Sequence, residues 1–112
     1  MIFAIRGATT VERDEEELIS AAAVELVKEI VAANKIDTAI SITVSTTADI
    51  TASYPAKAIR ESRILSAPLF SCLEPPISGA LPLCIRVIIL ADGEFKKHIY
   101  LHGAKVLRPD LG

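Results

Sequence analysis

Residues Asp14–Asn34 read DEEELISAAAVELVKEIVAAN. Leu18, Ala22, Leu26 and Ile30 recur every four positions, with Ile19, Ala23, Val27 and Val31 alongside. Side chains three and four apart share a helix face, so these residues form a wide apolar stripe, the mark of a helix lying on a sheet. Acidic residues crowd the stretch from Glu12 to Glu17, which suits the partial positive charge of a helix N-terminus. Asn34 is a suitable C-terminal stop. At about 1.5 Å per residue the helix spans roughly 30 Å.

The flanking segments supply the sheet. Ile2–Ala8 reads as a short strand closed by Gly7 and the Thr9-Thr10 pair. Ala39–Ser45 alternates and is rich in β-branched residues, which predicts a second strand. Tyr54-Pro55 opens a short helical turn through Glu61, with Pro55 at the first helical position. Leu69–Leu73 predicts a short strand, and the Pro75, Pro76, Ser78, Gly79, Pro82 cluster a loop. Leu83–Leu90 predicts a strand, Ala91-Asp92-Gly93-Glu94 a hairpin turn, and His98–Leu101 with Ala104–Leu107 one or two returning strands. One long helix and about five strands make an α+β domain.

The chain has 112 residues, which fits one domain, 1–112, and no second. Hydrophobic residues make up 51% and charged residues 23%, with mean hydropathy +0.43. That excludes a disordered chain and is more apolar than a small lone domain easily hides. A membrane span does not account for it. The longest charge-free stretches, Thr38–Ala48 and Pro75–Ile85, are 11 residues each, and a spanning helix needs about 20. Oligomerisation is the reading that remains. The formal net charge of −2 gives no sign of a nucleic-acid partner. No signal peptide is visible at the start. Two cysteines, Cys72 and Cys84, make no disulfide framework or metal spacing, which makes the cytoplasm the default location.

Two arginines stand out. Arg6 lies within Ile2-Phe3-Ala4-Ile5-Arg6 and Arg86 within Cys84-Ile85-Arg86-Val87-Ile88-Ile89-Leu90. Such runs indicate strands largely buried on both faces. A guanidinium there keeps its proton, so it is either a structural ion pair or part of an anion site. Lys57 and Arg60 are three apart on the helical turn and read either as a solvated face or as further anion ligands. Arg108 pairs with Asp110 or faces the same site. Glu74 is the one acid in the apolar Leu69–Leu83 region, placed to counter an arginine, to accept from a ligand hydroxyl, or both. Tyr100 offers a phenol that needs a partner if buried. His98 and His102, four apart on a strand, stand about 13 Å apart, too far to share a metal. Together these residues describe a cationic pocket with one carboxylate and one phenol, suited to a small organic di-anion.

The sequence resembles the trimeric chorismate mutases of the pseudo-α/β-barrel class. The resemblance is carried by Ile5-Arg6-Gly7-Ala8-Thr9-Thr10-Val11-Glu12, Tyr54-Pro55-Ala56-Lys57-Ala58-Ile59-Arg60, Cys84-Ile85-Arg86-Val87, Tyr100-Leu101 and Val106-Leu107-Arg108-Pro109-Asp110-Leu111, in family order along nearly the whole chain. It implies a mixed sheet of about five strands against one long helix and a short helical turn. It also implies a homotrimer, with sites between subunits that convert chorismate to prephenate without cofactor or metal, in aromatic amino-acid biosynthesis. Carried over by position, Arg6 with Tyr100 binds the enolpyruvyl carboxylate, Arg86 meets the ether oxygen and Glu74 accepts from the ring hydroxyl. Tyr54, Lys57 and Arg60 line the neighbouring subunit's wall, and Arg108 approaches the ring carboxylate. Counting back from Arg86 puts Ser71 where many members have a cysteine near the ring hydroxyl, and Cys72 one place later. Tyr54 stands where phenylalanine is common. The alternative expectation is a trimer that binds chorismate or prephenate without catalysis; retention of Arg86 and Glu74 argues against it.

Overall fold

The computed structural model describes residues 1–111; Gly112, the last residue of the expected domain, lies outside the described residues. The order of elements is β1 (Ile2–Thr10), α1 (Glu16–Ala33), β2 (Lys35–Thr46), α2 (Pro55–Ser62), β3 (Leu69–Leu73), β4 (Cys84–Glu94) and β5 (Ile99–Tyr100). Two 3-10 helices follow, His102–Leu107 and Pro109–Leu111. The strands form one mixed sheet in the order β3-β2-β4-β1-β5. Its centre, β2-β4-β1, is antiparallel, and β3 and β5 add in parallel to β2 and β1.

The predicted stripe packs on this sheet. Ile19, Ala23, Leu26, Val27 and Ile30 of α1 are buried, in one core with Ile5, Ile42, Val44, Ile85, Val87 and Ile89. Fully burying a large aliphatic side chain contributes about 1.5–3 kcal/mol. Gly7 is where the helix comes closest, because a Cβ there would stand 2.7 Å from Ile30 Cδ1. It therefore does not close β1, which runs on to Thr10. Asn34 ends α1 in an extended conformation. Its amide donates to the Ile30 and Lys97 carbonyls, and its carbonyl accepts from the amides of Lys96 and Lys97. The helix stop thus also anchors the loop leading into β5.

Three expectations are corrected. Ala91–Glu94 is no hairpin turn: β4 continues to Glu94, and Gly93 pairs with Ile36 beside a register shift in β2. A Cβ on Gly93 would overlap the Lys35 carbonyl oxygen, so this glycine marks a close backbone approach. Ala104–Leu107 is a 3-10 turn, because His102 takes a positive φ of 50° and breaks the strand after Tyr100. The strands are not buried on both faces. Along β4, Ile85, Val87 and Ile89 are buried, while Arg86, Ile88 and Leu90 are exposed. The helices cover one face of the sheet, and within this chain the other face is open.

Candidate active site

The open face is where the strand register assembles the predicted polar residues. Cys72 pairs with Ser45, Ser45 with Arg86, Arg86 with Ala8 and Ala8 with Tyr100, a row across all five strands. Residues opposite one another on neighbouring strands share a face. Arg6 lies in the next such row, opposite Ile88. Arg6, Arg86, Tyr100, Ser45, Thr43 and Cys72 line one concavity of about 240 Å³.

Glu74 follows β3 directly, and its amide donates to the Thr46 carbonyl at 2.8 Å, carrying the β2–β3 pairing one residue further. Its Oε1 accepts from Ser45 Oγ at 2.6 Å and faces Arg86 Nε at 3.3 Å. The Arg86 side chain is 45% exposed and that of Glu74 23%, so a pair this open adds little stability. Its effect is positional: Glu74 meets Arg86 at Nε, and neither contact uses Glu74 Oε2. Arg86 is thus in an ion pair and also lines the concavity. Burial raises the thiol pKa of the neighbouring Cys84, with the Arg86 charge opposing.

Arg108 stands beside Tyr100 and makes a two-pronged pair with Asp110 at 2.9 and 3.1 Å. Its pKa is raised, first by that hydrogen bonding. Arg6 is exposed, and its backbone amide donates to His98 Nδ1 at 3.0 Å. His98 and His102 do not share a strand, His102 opening the first 3-10 helix, and they take different partners, the latter meeting Glu25 at 2.8 Å.

The other predicted residues lie apart from this cluster. Tyr54, Lys57 and Ser71 line a second groove of about 580 Å³, with Thr46 and Ile50. Ser71 pairs with buried Val44, whereas Cys72 pairs with Ser45, so the two neighbours face opposite sides of β3. Cys72 is the one on the Arg86 face, and it borders both grooves. Arg60 lines neither; it borders a separate depression with Arg63 and Leu65. Sequence reasoning missed Ser45. The signal was present in Thr43 and Ser45, the polar positions alternating with Ile42 and Val44.

Two guanidiniums and a phenol thus line one concavity of the sheet, with a carboxylate against one of the guanidiniums. Residues 2–111 match the family model described as chorismate mutase type I. The chain is 38% identical to chorismate mutase AroH of Thermus thermophilus over 99% of this chain and 97% of that one. It is 40% identical to chorismate mutase AroH of Bacillus subtilis, over 99% and 93% respectively. A solved chorismate mutase from Clostridium thermocellum superposes with a TM-score of 0.86 at 38% identity, covering 93% of this chain and 98% of that one. The chain belongs to the chorismate mutase type I family.

Proposed function

We propose that this chorismate mutase converts chorismate to prephenate on the open face of its sheet, in a cleft completed by a neighbouring copy of the chain. The observation that carries the reading is the Ser45–Glu74–Arg86 cluster beside Arg6 and Tyr100. The reaction is unimolecular: an ether carbon–oxygen bond breaks as a carbon–carbon bond forms within one molecule. Negative charge grows on the ether oxygen. A guanidinium fixed in advance at that point stabilises the transition state more than the ground state.

In this reading Arg6, with the Tyr100 phenol, holds the enolpyruvyl carboxylate, and Arg86 meets the ether oxygen. Glu74 Oε2 accepts from the ring hydroxyl, while Arg108 approaches the ring carboxylate. Tyr54, Lys57, Arg60 and Ser71 belong to the wall that one copy offers the next. Their separation from the Arg86 cluster within one chain supports a shared cleft. Cys72, on the Arg86 face of β3, and Ser71 are the two candidates for contact with the ring hydroxyl. No cofactor or metal is called for.

A homotrimer forming a pseudo-α/β-barrel agrees with the apolar residues on the open face, where Phe70 is 68% and Ile88 42% exposed. The chain acts as a single domain over residues 1–112. We place it in the cytoplasm, in aromatic amino-acid biosynthesis. Both cysteines are free, which suits a reducing compartment, and among the described residues no helix is long and apolar enough to cross a membrane. The test is to mix purified protein with chorismate, follow its ultraviolet absorbance and identify the product. Prephenate at a rate far above the uncatalysed one supports the reading; unchanged chorismate overturns it.

A further inference from the structure

We propose that His98 is a positioning residue for Arg6: its neutral ring accepts the Arg6 backbone amide and so sets where that guanidinium stands. The inference rests on the reading of Arg6 as a carboxylate ligand. Parallel pairing between β1 and β5 begins at Gly7 with Ile99. One residue earlier Arg6, paired with Ile88 of β4 on its other side, has no partner in β5, and His98 Nδ1 takes that place at 3.0 Å. The ladder that fixes the arginine's backbone is therefore completed by a side chain that titrates. His98 is itself held. Its ring packs on Phe95 at 4.8 Å between centroids, and Phe95 in turn packs on Phe3. The preceding Lys96 and Lys97 are tied to Asn34 at the end of α1.

An imidazole accepts at Nδ1 only when that nitrogen carries no proton, so the structure requires the Nε2–H form. On protonation Nδ1–H and the Arg6 N–H become two donors facing each other, and the contact must open. The charged groups facing the ring are Arg6 from β1 and Arg108 from the segment between the 3-10 helices, the latter paired with Asp110. Burial, then Arg108, then Arg6 push the His98 pKa below its ordinary 6.5, and no carboxylate contributes. Lys96 and Lys97 flank it on its own segment. The neutral, accepting form is thus the one present at neutral pH, and the contact is lost as pH falls through the depressed value.

Arg6 meets a carboxylate that is charged in substrate and transition state alike, so disturbing it raises KM and leaves kcat nearly unchanged. The experiment compares wild type, His98→Asn and His98→Ala from pH 5 to pH 8, after circular dichroism confirms folding. Asparagine places its carbonyl oxygen where Nδ1 stood and does not titrate. Wild type should show KM rising on the acid side. His98→Asn should keep the neutral-pH KM and lose the acid rise, and His98→Ala should raise KM about 2- to 10-fold at every pH, the worth of one hydrogen bond. An acid rise in His98→Asn equal to that of wild type overturns the proposal. In parallel, the Arg6 amide resonance is followed by NMR in wild type, which needs no activity. It should shift as the His98 ring titrates; an indifferent amide overturns the positioning role. Wild type that leaves chorismate unchanged while the amide still responds overturns instead the functional reading of Arg6.

Discussion

Arg86 is held from two directions, by its place near the start of β4 and by the Glu74 oxygen on its Nε. Removing one preorganised donor of this kind costs about 10²–10³ in kcat. Arg86→Ala should show at least that loss while remaining folded. Arg86→Lys keeps charge but not the planar fork, so it should recover only part. Lys57 is bound only loosely to Glu61, at 4.0 Å, and lies in the other groove. Lys57→Ala should act mainly on KM, because attraction to a carboxylate is present throughout the reaction. Steady-state kinetics on the three variants checks all of this. An Arg86→Ala enzyme as fast as wild type would reduce the arginine to a structural ion pair.

At the scale of elements, two joints hold the sheet and helices in register. Gly93 has a φ of 150° with the Lys35 backbone pressed against it. Gly93→Ala must move one strand off the other and should destabilise the fold by about 1–3 kcal/mol, read as a lower denaturant midpoint. Just before α1, Asp14 accepts from the Thr51 hydroxyl and from the amides of Thr51 and Ala52. That ties the start of α1 to the loop entering α2. These bonds, the Thr51 hydroxyl first, hold its carboxyl below the ordinary 3.8. A depressed carboxyl contributes stability that is present above its unfolded value and lost as pH falls through the folded one. Asp14→Asn should therefore lower stability at neutral pH and weaken its dependence on acid, measured by urea unfolding at pH 7 and pH 3.

For the whole molecule, the apolar content of 51% and the open face with Phe70, Ile88 and Leu90 exposed call for a partner surface. Burial there contributes roughly 25 cal/mol per Å². Light scattering at micromolar concentration should report about three chains; an active monomer would contradict the shared cleft. A rearrangement that transfers no proton needs no group titrating near neutrality. kcat should stay nearly flat from mildly acidic to mildly alkaline pH, with any acid limb confined to KM through His98. A bell-shaped kcat profile that survives stability controls would reveal a general acid or base.

The helix stripe from Leu18 to Val31 and the alternation of Ile42–Ser45 were legible in the sequence because periodicity reports which side of an element meets the core; the Leu69–Leu73 strand was legible as a short apolar run, without a buried side. Arg6, Arg86 and Glu74 stand out in the sequence as charges among apolar residues, but the strands are buried on one face only and both arginines lie on the open one, which strand register decides. Four matters depended on tertiary contact. Gly93 reads locally as a turn, and only the Lys35 backbone beside it makes it a strand glycine. Ser71 and Cys72 are both plausible by counting, and the pairing of Cys72 with Ser45 determines which of them shares a face with Arg86. Lys57 and Arg60 match one helical spacing yet border different depressions. His98 touches Arg6 across 92 positions of chain. Local pattern records a residue's own element and the side it buries; what stands opposite is set by strand register, which is a property of the assembled sheet.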